Sequence, residues 1–203
     1  MGIGVGVALL AAAVVIVAVL LLSGGGDEPS AKLLPGGGEV PSAKVTDLKR
    51  AAGGAGCRLS SERAKSRDHT SDPNAKPAYR TNPPTDGRHY EVPTEDGAYS
   101  KAPADSHLVH SLEHGRIIIW FKPTLPEPAR ANLKAFFDED SYQIILGPRA
   151  KMPFQVAASA WGRDPEPLGT GFLLGCGRYS EQVFDALRAF RDEHRSNGPE
   201  PVP

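Results

Sequence analysis

The stretch DSHLVHSLEHGRIIIWFKP, residues 105–123, sets three histidines and a glutamate directly ahead of an apolar run. Arg116–Lys122, RIIIWFK, is β-branched or aromatic between its charged ends, and reads as a central strand buried on both faces. The lead-in has two readings. As a helix, it puts His110 and His114 on one face with Glu113 beside them, capped by Asp105 or Ser106 and ended by Gly115. As an extended segment it still keeps His110 and His114 on one face, but turns Glu113 away.

Outward from this stretch, Thr124–Asp138 is predicted helical. Thr124 and Glu127 resemble a capping box, and Leu125, Ala129, Leu133, Phe136 and Phe137 form an apolar stripe. Tyr142–Leu146, Gln155–Trp161 and Gly171–Cys176 read as strands. A last amphipathic helix is expected from Ser180 as N-cap to about Asn197-Gly198. Upstream, Ser42–Ala52 reads as a short helix stopped by Gly53-Gly54. Cys57–Lys101 is polar and turn-rich, and NPPTDGRHY, residues 82–90, reads as an irregular loop stiffened by two prolines. Strands and helices mixed without a βαβ rhythm give an α+β domain: a small mixed or antiparallel sheet flanked by two or three helices.

The N-terminal stretch Gly2–Leu22 carries no charge and no proline. Its length, about 20 residues, suits a hydrocarbon core of roughly 30 Å. Residues 1–23 are therefore read as one transmembrane helix that anchors the chain in the membrane. It is favoured over a cleavable signal peptide, because the run ends without a small-residue cleavage site. Residues 24–41 are rich in Gly and Pro and read as a flexible linker. Residues 42–203 form the domain, placed outside the cytoplasm. The formal net charge of −1 gives no reason to expect a nucleic-acid partner, and no protein partner is indicated.

Cys57 and Cys176 are the only cysteines and bracket most of the domain. Their pairing is expected, and it fits an oxidising compartment. Without a Cys-x-x-Cys pair they are neither a redox motif nor a zinc knuckle.

Five of the six histidines fall between positions 69 and 114: His69, His89, His107, His110 and His114. Neutral imidazole is the commonest metal ligand, so the crowding points to a transition-metal site, copper or zinc. His89, His110 and His114 are the first candidates, with His69, Glu113 and Met152 as further ones; a methionine ligand would favour copper. H-x-x-E-H, residues 110–114, is also the inverted zinc-hydrolase motif, in which Glu113 would be the catalytic base. A third reading leaves the histidines as hydrogen-bonded structural groups in an envelope interaction domain. His194 lies one turn after Phe190 and is explained by packing or by the helix dipole. Trp161, in AWGR, reads as a core aromatic.

NPPTDGRHY, GAY, LVHSLEHGRIIIWFKP, AWGR and the closing NGPE occur in this order over about residues 55–200. The chain thereby resembles the bacterial family catalogued as domain of unknown function 3105, frequent in actinobacteria as membrane-anchored proteins. The positions that match are His69, Pro83, Pro84, Thr85, Gly87, His89, Tyr99, His110, Glu113, His114, Gly115, Trp161 and Gly162. The usual pattern has serine where this chain has Asp86, and His107 falls outside it. The resemblance sharpens the list of site residues and implies no established activity.

Overall fold

The computed structural model describes residue 34 and residues 36–200. The apolar stretch 2–22 and most of the linker lie outside the described residues. No helix among the described residues is long and apolar enough to cross a membrane. Lys32–Pro203 forms one compact unit, with its own core and its own disulfide.

The order is α1 (Leu48–Gly54), β1 (Cys57–Arg63), β2 (His69–Thr70), β3 (His89–Tyr90), β4 (Gly97–Ala98), α2 (Asp105–Glu113), β5 (Ile117–Phe121), α3 (Glu127–Glu139), β6 (Ile144–Pro148), β7 (Val156–Gly162), β8 (Thr170–Cys176) and α4 (Val183–His194). Six strands form one mixed sheet in the order β1-β8-β7-β5-β6-β4, and β2 and β3 form a separate parallel pair. The α+β class and the mixed sheet are as expected. The described helices number four rather than two or three.

β5 is central and buried on both faces. Ile117, Ile119 and Phe121 point into one apolar cluster, beside Leu133, Phe136, Phe184 and Phe190 from α3 and α4. Ile118 and Trp120 point the other way, to Leu108, Val109, Leu112, Met152 and Trp161. Three helices thus cover one face, while α2 and the loops before it cover the other. The second face carries the histidines.

Several boundaries differ from the sequence reading. α1 starts at Leu48, because the Asp47 carboxylate accepts from the Arg50 N–H at 2.9 Å and makes a better cap than Ser42. Residues 42–46 instead cross the helical face without regular structure, where the Lys44 N–H donates to Asp185. The described end of the Gly/Pro-rich linker also packs. Leu34 is buried, the Glu39 N–H donates to Asn132, and a side chain at Gly38 would strike the Ala131 carbonyl. α3 starts at Glu127 behind Pro126 with no side-chain cap, so Thr124 does not cap it. α4 begins at Val183, since the Ser180 carbonyl closes a turn ahead of the helix. It ends at His194, before the left-handed Ser196. β1, inside the stretch read as turns, is a polar edge strand. It is exposed along almost its whole length and so shows no apolar alternation.

Cys57 and Cys176 are bonded to each other across β1 and β8. The expected pairing stands.

Candidate metal centre

Of the two readings of residues 105–114, the structure has the helix. α2 buries Leu108, Val109 and Leu112 against the sheet, and this turns His110, Glu113 and His114 together onto its flank. The N-cap is Ala104, without a side-chain bond, so neither Asp105 nor Ser106 caps it. Asp105 is instead ion-paired with Arg149 at 2.6 Å. Gly115 ends the helix at φ +82°, a left-handed backbone where a side chain would be strained and would press on the backbone of residues 196–198. The NGPE motif straps this end. The Ser196 N–H donates to the Gly115 carbonyl, and the Glu200 N–H to the Glu113 carbonyl.

The other two histidines arrive by backbone pairing. β2 and β3 run parallel with His69 opposite His89, fixed by the His89 N–H donating to the Asp68 carbonyl. The proline-rich loop before β3 is held rigidly. Arg80 donates to Asp86, the Thr85 hydroxyl donates to Asp86, and Asn82 donates to the Lys151 carbonyl. Asp86 thus closes the loop through an ion pair.

The result is a cluster. The rings of His69, His89 and His110 lie within 4.9 Å of one another, centre to centre. His69, His89, His110 and Glu113 each offer one donor atom, and those four atoms lie within 4.8 Å of one another. His69 Nε2 is 3.1 Å from His89 Nε2 and 3.5 Å from Glu113 Oε2, and His89 Nε2 is 3.0 Å from that same oxygen. Four ligands about 2.0–2.1 Å from a zinc ion stand about 3.3–3.4 Å apart along the tetrahedron's edges. The three measured edges bracket that value.

The protonation pattern is set by carbonyls. His89 Nδ1 lies 2.7 Å from the Gly87 carbonyl, and His110 Nδ1 lies 2.7 Å from the Tyr90 carbonyl. A carbonyl only accepts, so both Nδ1 atoms carry the proton and each neutral ring turns the Nε2 lone pair into the cluster. This is the outer-shell arrangement by which ligating histidines are oriented. Lone pairs then face a carboxylate oxygen. Glu113 Oε2 is buried with no aligned donor, although His89 Nε2 is close. The space between them calls for a cation, either a proton that makes His89 an imidazolium or a metal ion that replaces it.

Electrostatics keep His110 and Glu113 in ligating form. Burial lowers the His110 imidazole to about 4, against the bond to the Tyr90 carbonyl. Burial also lowers His114, with Glu200 opposing. For Glu113, burial pushes the carboxyl up, but His89 and Arg67 outweigh it and bring it down to about 2, the His89 share requiring the proton or other cation between Nε2 and Oε2. Arg67 Nε donates to Glu113 Oε1 at 2.6 Å and Nη2 reaches Glu200 at 3.5 Å, so Oε1 is occupied and Oε2 is left for the cluster. Trp161 is fully buried, donates to the Leu168 carbonyl, and sets its ring edge-on 5.9 Å from His89.

The remaining candidates fall elsewhere. His114 stands outside the group of four. Its Nε2 is 3.0 Å from His110 Nε2, and it belongs to a second group with Glu113 and Glu200. His107 lies tilted against Tyr90 and approaches the Pro73 carbonyl. Met152 is buried in the apolar cluster with Trp120 and Leu108. His194 packs between Phe172 and Phe190. Arg67 was missed by sequence reasoning, because nothing in its neighbours distinguishes it from other surface arginines. The proximity of Glu200 to the site was hidden for the same reason.

Residues 70–170 match the model of the family described as Protein of unknown function (DUF3105). The match supports the family read from the motifs. It spans β3, α2 and Trp161, so the matched segment holds His89, His110 and Glu113. No curated protein and no solved structure matches the chain.

Proposed function

We propose that this protein binds one divalent transition-metal ion, zinc in the first place, through His69, His89, His110 and Glu113. The observation that carries the reading is the buried, unpartnered Oε2 of Glu113, faced by imidazoles whose lone pairs are aimed by carbonyls. Three nitrogens and one oxygen without a sulfur ligand suit zinc. Copper(II), the alternative, favours a flatter arrangement than these edges describe.

Four protein donors close a tetrahedral shell, which is the mark of an ion that is held rather than one that activates water. Glu113 also fits poorly as the base of an H-x-x-E-H hydrolase. It serves as a donor itself, and a carboxyl near 2 is a weak proton acceptor at neutral pH. The role we infer is a metal carrier or sensor, anchored by residues 1–23 with its domain outside the cytoplasm. The disulfide is compatible with that compartment.

The test is metal analysis and calorimetry on residues 32–203, beside a His89→Ala/His110→Ala variant. About one zinc per chain is expected for the native sequence and none for the variant. Cobalt(II) in place of zinc should give the intense visible bands of a four-coordinate ion. Equal metal content in the two proteins removes the proposal.

A further inference from the structure

Among the described residues β1 is the outer strand of the main sheet, paired only with β8. An open edge of this kind presents unpaired N–H and C=O groups and is a template for another strand. Arg58 through Arg63 are all exposed, and Leu59 is 39 % exposed. The bond between Cys57 and Cys176 fastens one end of β1 to β8, so the edge is rigid.

The direction of its free groups follows from register. Cys57 and Cys176 are directly opposite with Cα atoms 4.1 Å apart, the close spacing of a non-hydrogen-bonded pair. The odd-numbered residues of β1 therefore turn their main-chain groups outward. Two bonds agree: the Ala64 N–H reaches inward to the Gly169 carbonyl, and the Arg63 carbonyl accepts from the Arg80 side chain. Leu59 and Ser61 keep their outward groups free of any partner among the described residues.

The sequence of this edge, CRLSSER, is self-complementary in charge about Ser60. We propose that two copies of this chain join edge to edge through β1, antiparallel, about a twofold axis at Ser60. Leu59 then exchanges both main-chain bonds with Ser61 of the second copy, and the symmetric contact makes about four. Ser60 meets Ser60, and Arg58 meets Glu62, in non-hydrogen-bonded pairs, where side chains approach most closely. Sliding the pair by two residues in either direction separates the opposite charges, so charge selects this register. The groups are available. Arg58 has no ion pair among the described residues, and the Glu62–Arg80 bond uses Oε2 and leaves Oε1 open. One strand pair is a small contact, so the dimer is a weak, concentration-dependent one.

Sedimentation velocity on residues 32–203 over a wide concentration range is the test. A monomer–dimer equilibrium is expected, weakened about tenfold by Arg58→Glu and recovered by Arg58→Glu/Glu62→Arg. Independently, Ser60→Cys should cross-link two copies under mild oxidation, while Ser61→Cys should not, because its opposite number is Leu59. A monomer at every concentration overturns the proposal. So does a dimer indifferent to Arg58→Glu, or cross-linking through Ser61→Cys as fast as through Ser60→Cys.

Discussion

His89 Nε2 stands 3.0 Å from Glu113 Oε2, with both side chains completely buried. A contact of this kind is stable only with positive charge in or beside it. Glu113→Gln keeps the shape and removes the charge, and its amide can donate to the His89 lone pair. Zinc affinity should fall at least about a hundredfold by calorimetry. Zinc at a hundred times its dissociation constant raises native stability by about 2.7 kcal/mol. Most of the corresponding shift in melting temperature should vanish in the variant, and an unchanged shift would rule Glu113 out as a ligand.

The two ends of H-x-x-E-H should behave differently. His110 lies in the group of four, and His114 lies beside it. His110→Ala should abolish stoichiometric zinc binding. His114→Ala should keep one zinc per chain with a modest change in affinity, because His114 lies outside the group of four and competes with the ion for the His110 Nε2 lone pair. If His114→Ala empties the site and His110→Ala does not, the hydrolase-like ligand set gains the ground that this geometry denies it.

That distinction was not legible in the sequence. The spacing of His110 and His114 puts them on one face under either backbone, and so marks both as candidates. What separates them is the approach of β2 and β3 to one side of α2, a tertiary fact. The parallel pairing of His69 with His89 is likewise invisible, since each strand is two residues long and has no periodicity. β5 could be read, because burial on both faces leaves an unbroken apolar run. β1 could not, because an edge strand in water needs no apolar residues. The disulfide was readable because two cysteines in a domain have one possible internal partner each.

Arg67 holds the outer oxygen of Glu113 and is partly exposed, whereas Glu113 is not exposed at all. Removing one partner of such a pair strands the other charge. Arg67→Ala should destabilise the metal-free domain by about 3 kcal/mol in urea. Zinc should recover part of that loss, since the ion supplies the missing positive charge. Equal losses with and without zinc would separate Arg67 from the metal centre.

Reduction tests the clasp between the two ends of the sheet. Cys57 and Cys176 are 119 residues apart in sequence. The chain-entropy account assigns a loop of this length about 5 kcal/mol. Cys57→Ser/Cys176→Ser should therefore melt well below the native protein, with the same fold by circular dichroism at low temperature. A melting point equal to the native one would show that β1 is held by its ladder alone.

His194 offers the cleanest acid response, because it is remote in packing from the metal ligands. Its ring stacks on Phe172 at 4.3 Å between centres and meets Phe190 edge-on, with Glu193 3.9 Å away as the nearest carboxylate. Burial holds its imidazole down to about 4 in the folded chain. The unfolded chain takes up the proton near 6.5, the ordinary value. Between those two values the unfolded state binds the extra proton, so stability is lost as pH falls from about 6.5 to about 4 and changes no further below it. The loss amounts to about 3 kcal/mol. His194→Phe keeps an aromatic ring in the stack and has nothing to protonate. Urea unfolding at pH 7 and pH 4.5 should show the native protein losing most of that amount relative to the variant. His110, also held down to about 4, and Glu113, held near 2, are present in both proteins and cancel in the comparison. Parallel pH profiles for the two proteins would mean that the His194 ring finds water or a carboxylate when charged, and that its burial is not what the packing shows.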